Sequence, residues 1–253
     1  MPVLIEACVD TVDSSVAAEA GGAERLELCA ALGDAGTTPS AGMISAVKNR
    51  VRIPVVVIVR PRGGGFIYSD VEVDVMRRDI EIATEAGADG FAIGVLTAEG
   101  TIDRARTREL VKRAGALPVT CHRAFDLAAD LGEALEALID CGITRVLTSG
   151  GAPTALEGAT KIRSLREQAS GRIQIMAGGG LREENVADVV RRSGVSAIHV
   201  RGTRVVTTAM HVSGARLRLR KALLDDESAW EETDVSRIRA FAAAAGSPGN
   251  HGA

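Results

Sequence analysis

The chain has 253 residues, 46% of them hydrophobic, and a formal net charge of −3. That length suits one large α/β barrel or two small domains, and the mildly acidic balance leaves no basic footprint for nucleic acid or an anionic membrane. Aromatic residues supply only 2%, so the core is expected to be Val, Ile, Leu and Ala, as in parallel strands covered on both faces.

In chain order, Val3–Cys8 reads as the first strand, apolar but interrupted by Glu6. No leader precedes it, and no apolar run reaches the roughly 20 residues that span a bilayer, so a cytoplasmic protein with reduced thiols is expected. A helix over Thr11–Ala20 follows, capped by Asp10 or Thr11 and closed by Gly21-Gly22. Arg25–Cys29 is the second strand, with Glu27 in its middle. A helix near Ala41–Asn49 leads to Ile53–Val59, a third strand of almost pure Val and Ile that empties into Arg60-Pro61-Arg62. Ser69 or Asp70 caps a long helix to Ala86.

Gly90–Val95 is strand four, and Asp103–Arg113 the next helix. Leu117–Cys121 is strand five, ending in His122, Arg123 and Asp126. The helix Leu131–Cys141 precedes strand six, Arg145–Thr148, and its Ser149-Gly150-Gly151 turn. A helix over Thr154–Ala169 leads to strand seven, Ile173–Met176, with its Gly178-Gly179-Gly180 turn. A helix over Glu183–Arg192 leads to strand eight, Ala197–Val200, which carries His199 and ends at Arg201.

Residues 203–230 lose periodicity and read as an irregular excursion. Asp234–Ala245 returns as a final helix, and 247–253 as a disordered tail. Eight strand–helix alternations predict a single TIM-type (β/α)8 barrel over residues 1–246.

In such a barrel ligands bind at the carboxyl ends of the strands, and several polar residues fall there. Glu6 shares a strand face with Cys8, and Glu27 with Cys29, because side chains alternate. The carboxylates either point into the barrel mouth or form structural ion pairs with Arg25, Arg60 or Arg62. Adjacent parallel strands lie about 4.8 Å apart, so Cys8 and Cys29 could share a soft ion such as Cu(I), or could be two small buried hydrophobes.

The glycine turns at Ser149, Gly150 and Gly151 and at Gly178, Gly179 and Gly180 could cradle a phosphate or carboxylate with their N–H groups, or could be ordinary turns. Arg60, Arg62, Arg123 and Arg201 would add positive charge, against Glu6, Glu27 and Asp126. His122 could work as acid or base, or could simply hold its loop to Asp126. His199 could be no more than core. No lysine ends a strand, which disfavours Schiff-base chemistry. No Walker A, G-x-S-x-G or H-E-x-x-H motif occurs, and no nucleotide cofactor is expected.

Several segments together resemble the CutC family, described as copper homeostasis proteins. They are EACVDTVDS (6–14), AERLELCAAL (23–32), GTTPSAG (36–42), VRPRGGGFIYSD (59–70), DIEIATEAGADG (79–90), VTCHRAFD (119–126), RVLTSGGAPTALEG (145–158) and IMAGGGL (175–181). The spacing is consistent to His199. Cys121 stands where the family usually has Phe, and the turn after strand eight also departs from its pattern. The resemblance implies a TIM barrel, a homodimer, and Cys8 and Cys29 as copper ligands. The rim chemistry implies an alternative: an enzyme for a small phosphorylated or carboxylated metabolite, with Glu6, Arg60, His122 and Arg123 as its catalytic residues.

Overall fold

The computed structural model describes residues 3–207 and 228–246. Eight parallel strands close on themselves in sequence order. They are β1 (Leu4–Val9), β2 (Arg25–Leu28), β3 (Val55–Ile58), β4 (Gly90–Ile93), β5 (Val119–Cys121), β6 (Arg145–Thr148), β7 (Gln174–Gly178) and β8 (Ala197–Val200). The seven helices between and around them are α1 (Val12–Ala20), α2 (Ala41–Lys48), α3 (Asp70–Glu85), α4 (Arg104–Ala114), α5 (Leu131–Asp140), α6 (Ala159–Ala169) and α7 (Val186–Ser193). The fold is a TIM barrel, as the alternation predicts.

Local chemistry sets most helix starts. Thr11, Ser40, Asp103 and Asp130 each accept a backbone N–H in the first turn of their helices, satisfying a donor the helix leaves open. Ser69 and Glu72 form a full capping box at α3. Two helices begin later than expected. Residues 150–158 turn irregularly before α6, and residues 179–185 before α7.

The period of two in the strands divides them cleanly. Ile5, Ala7, Val9, Leu26, Leu28, Val55, Val57, Phe91 and Ile93 join the large core between barrel and helices. The alternate residues face inward, and there the expectation of an aliphatic core needs correction. Val56, Ile58, Ala92, Leu147 and Met176 share the interior with buried Glu6, Arg25, Glu27, Thr120 and Arg145. Arg145 donates to Thr120 Oγ1 at 2.7 Å and to Gln174 Oε1 at 3.0 Å, which gives its buried donors neutral acceptors.

After β8 the chain is more regular than expected. Strands β9 (Thr203–Thr207) and β10 (Ala229–Thr233) pair antiparallel, with Trp230 opposite Val206. The middle of the expected excursion, 208–227, and the tail, 247–253, lie outside the described residues. A last helix, α8 (Val235–Ala245), buries Ile238, Phe241, Ala242 and Ala245. Among the described residues no helix is long and apolar enough to cross a membrane.

Candidate functional site

Strand register builds the site. Glu6 of β1 lies opposite Arg25 of β2 and His199 of β8, and Cys8 lies opposite Glu27. Glu6 is 1% exposed, accepts from Arg25 Nε and bonds His199 Nδ1 at 2.8 Å. Burial alone would raise its carboxyl, but the His199 hydrogen bond and the Arg25 charge outweigh it and hold the group ionised. An ionised partner puts a proton on His199 Nδ1 and leaves Nε2 facing the rim. Nε2 lies 3.8 Å from Glu27 Oε2.

Cys8 Sγ is 3.8 Å from that same oxygen and 3.8 Å from Cys29 Sγ. Cys29 is 1% exposed and sits against the Val9 carbonyl. The neighbouring Cys29 and burial raise the Cys8 thiol well above its ordinary value. Burial would lower the His199 imidazole, but the Glu27 charge and bonds to Cys8 and Glu6 raise it well above its usual range. Burial raises Glu27.

Above this cluster opens a cavity of about 390 Å³, lined by Cys8, Glu27, Arg60, Phe66, His122, Arg123, Gly179, Gly180, His199 and Arg201, with aliphatic neighbours. This is the size range of small-molecule sites. His122 Nδ1 accepts from the Ala124 N–H at 3.2 Å. Burial and then Arg60 press the imidazole down to about 3. It is therefore neutral near pH 7, with its proton on Nε2, which is buried without a partner. Gly94 makes its seat: a Cβ there would lie 2.5 Å from the imidazole.

Arg60 donates to the carbonyls of Asp34, Gly36 and Gly64, tying two rim loops together. Its Nε has no partner, and neither do Arg201 Nε and Glu27 Oε1. Four unsatisfied polar atoms thus belong to one cavity wall, where buried polar groups normally find a partner.

Other candidates lie elsewhere. Glu6 sits beneath the cavity, locked in its ion pair, and does not line it. Arg62 turns outward to Glu72 and the carbonyls of Gly63, Gly65 and Ile67. Asp126 accepts from Arg123 Nε, Thr148 Oγ1 and the N–H groups of Ser149 and Gly151. The Gly150 N–H is taken by Thr148 Oγ1. The β6 turn is therefore a closed network rather than an anion cradle.

Gly150 also packs on Gly158, where a Cβ would fall 1.8 Å from the Ser149 carbonyl oxygen. Gly178 belongs to β7 and backs onto Leu147 and His199. Only Gly179 and Gly180 of the two turns line the cavity, and their N–H groups have no acceptor among the described residues. The expected surplus of positive charge is also smaller. Arg201 pairs with Glu231 of β10 at 2.5 Å, Arg123 with Asp126 and Arg62 with Glu72. Among the described residues Arg60 is the cavity-lining arginine without a carboxylate partner.

The chain is similar to several known proteins. A family model described as "CutC family" matches residues 3–204. A human copper homeostasis protein cutC homolog is 44% identical over 242 residues, 96% of this chain and 89% of its own. A family protein CutC of Chromobacterium violaceum is 43% identical over 241 residues, 95% of this chain and 97% of its own. A solved CutC structure from Streptococcus agalactiae superposes with a TM-score of 0.75 at 34% identity, covering 78% of this chain and 97% of that one. A phosphoribosylanthranilate isomerase from Thermotoga maritima shares the fold alone, at 12% identity and a TM-score of 0.58, over 96% of this chain and 98% of that one. The chain belongs to the CutC family.

Proposed function

We propose that this protein handles copper in the cytoplasm, binding Cu(I) at the barrel mouth through Cys8 and Cys29. One observation carries this reading: two thiol sulfurs stand 3.8 Å apart at adjoining strand ends, one of them on the wall of an open cavity. Thiolate is the soft ligand Cu(I) prefers. Copper is the cargo here, and the relatives' names supply the process. The donor set fits it: both cysteines are free thiols, and they are within reach of one ion after modest adjustment. Anaerobic Cu(I) titration against a competing chelator tests the reading. Wild type should hold copper that a Cys8→Ser, Cys29→Ser double variant releases; equal affinities would remove it.

A second reading is favoured by the unpaired donors. Arg60 Nε, His122 Nε2, Arg201 Nε and the N–H groups of Gly179 and Gly180 all belong to the cavity's lining residues. Such a wall suits the carboxylate or phosphate of a small metabolite, with Arg60, His122 and Arg123 nearest its reacting end. In this reading Glu6 acts only through His199. A thermal-shift screen of sugar phosphates and organic acids tests it; an Arg60→Met variant should lose any shift that wild type shows. We also propose a homodimer, the commonest symmetric assembly.

A further inference from the structure

The cavity floor contains a second donor set that the copper reading does not use. Cys8 Sγ, a Glu27 carboxylate oxygen and a His199 ring nitrogen lie within 4.8 Å of one another. Glu27 Oε2 is 3.8 Å from Cys8 Sγ and 3.8 Å from His199 Nε2. We propose that Cys8, Glu27 and His199 form a site for a divalent ion of the Zn²⁺ type, with a fourth coordination position open to the cavity. This site does not rest on the Cu(I) reading, although the two share Cys8 and exclude each other.

Four features point the same way. First, ligand bonds of about 2.0–2.3 Å at tetrahedral angles place donor atoms roughly 3.5 Å apart. The two measured separations exceed that by a few tenths of an ångström. Second, His199 is held as metal-binding histidines usually are. Its Nδ1 bonds the buried Glu6 carboxylate at 2.8 Å, which fixes ring and tautomer and turns Nε2 toward the cluster. Glu6 is in turn neutralised by Arg25, so it adds no net charge.

Third, Glu27 Oε1 is buried with no partner. Glu27 is 5% exposed, and a buried carboxylate oxygen left bare is costly unless something occupies the site. Fourth, the charge balances: when a metal displaces their protons, the Cys8 thiolate and the Glu27 carboxylate carry two negative charges, which a divalent ion neutralises.

One thiolate, one imidazole and one carboxylate make a borderline set suited to Zn²⁺ rather than a soft one. Three protein ligands with an open position are the pattern of reactive zinc sites, not structural ones. Arg60 and His122 line the same cavity. A carbonyl or phosphoryl oxygen of an anionic ligand could take that position while the unpaired N–H groups hold its charge.

The test uses the full chain, metal-free and reduced, titrated anaerobically with Co²⁺ as a spectroscopic probe and then with Zn²⁺. Wild type should develop a thiolate-to-metal charge-transfer band and the visible bands of four-coordinate Co²⁺, and Zn²⁺ should bleach both. Glu27→Gln and His199→Ala should each weaken Co²⁺ binding at least about tenfold, the minimum expected even for lost supporting groups. Cys29→Ser should leave the Co²⁺ spectrum and affinity unchanged while weakening Cu(I) binding and leaving a single sulfur on the copper, so the two readings fail separately.

The proposal is overturned if wild type shows no charge-transfer band, if Cys29→Ser abolishes it, or if Glu27→Gln and His199→Ala bind Co²⁺ as wild type does. Should His199→Ala not fold, the isosteric Glu27→Gln decides alone.

Discussion

Replacing Glu6 with Gln should unfold the barrel more easily without touching the cavity wall. Glu6 is 1% exposed, and its two carboxylate oxygens serve Arg25 Nε and His199 Nδ1. Gln keeps the shape but loses the charge, and its amide nitrogen must face one of those two donors. Arg25 is 7% exposed and would keep only Met176 Sδ, at 3.4 Å, as a side-chain partner. Removing one partner of a buried ion pair costs about 3–5 kcal/mol, because the other charge stays buried and uncompensated.

At about 2–4 °C per kcal/mol for a chain of this size, the melting temperature should fall by roughly 6–20 °C. Circular dichroism melts of the metal-free protein at pH 7 measure this directly. An Arg25→Met partner variant completes a double-mutant cycle, whose coupling should be about 1–3 kcal/mol. A Glu6→Gln melting point within about 2 °C of wild type, or additive variants, would refute the structural role given to this pair.

Other outcomes follow from the same geometry. Asp126→Ala strips the β6 turn of its acceptor for two backbone N–H groups, Thr148 and Arg123; urea titration should show a loss of about 3 kcal/mol or more. His122 is held neutral, with its value depressed from 6.5 to about 3. Its contribution is complete above pH 6.5 and is lost as the unfolded chain takes up the proton that the folded chain refuses. Between pH 7 and pH 5 wild type should therefore lose roughly 2 kcal/mol that a His122→Gln variant keeps, as read by urea unfolding at each pH. Light scattering at micromolar concentration should give twice the chain mass; the mass of one chain would contradict the dimer.

The barrel was legible because each strand is a short apolar run closed by turn residues, and eight such runs can be counted. The closeness of Cys8 and Cys29 was legible for the same reason: alternation and adjacency fix it locally. His199 was not. Its partner Glu6 lies 193 positions away, and they meet only because β8 closes on β1. The run Ala197–Val200 does not announce that contact; the available signal was a histidine on the inward face of a strand, two residues before Arg201.

The β6 turn misled for a different reason. Glycine spacing shows where N–H groups can approach an anion, but not whether Asp126, from another loop, has already taken them. Likewise Arg201 looked free because Glu231 reaches it from β10, whose pairing with β9 has no tight-turn signature in the sequence.

Where copper binds decides the function. X-ray absorption at the copper edge of anaerobically loaded protein tests this directly. Two sulfur scatterers in wild type, falling to one in Cys29→Ser, are the expected result. A first shell of nitrogen and oxygen alone, or a spectrum unchanged by losing Cys29, would contradict the cysteine-pair site.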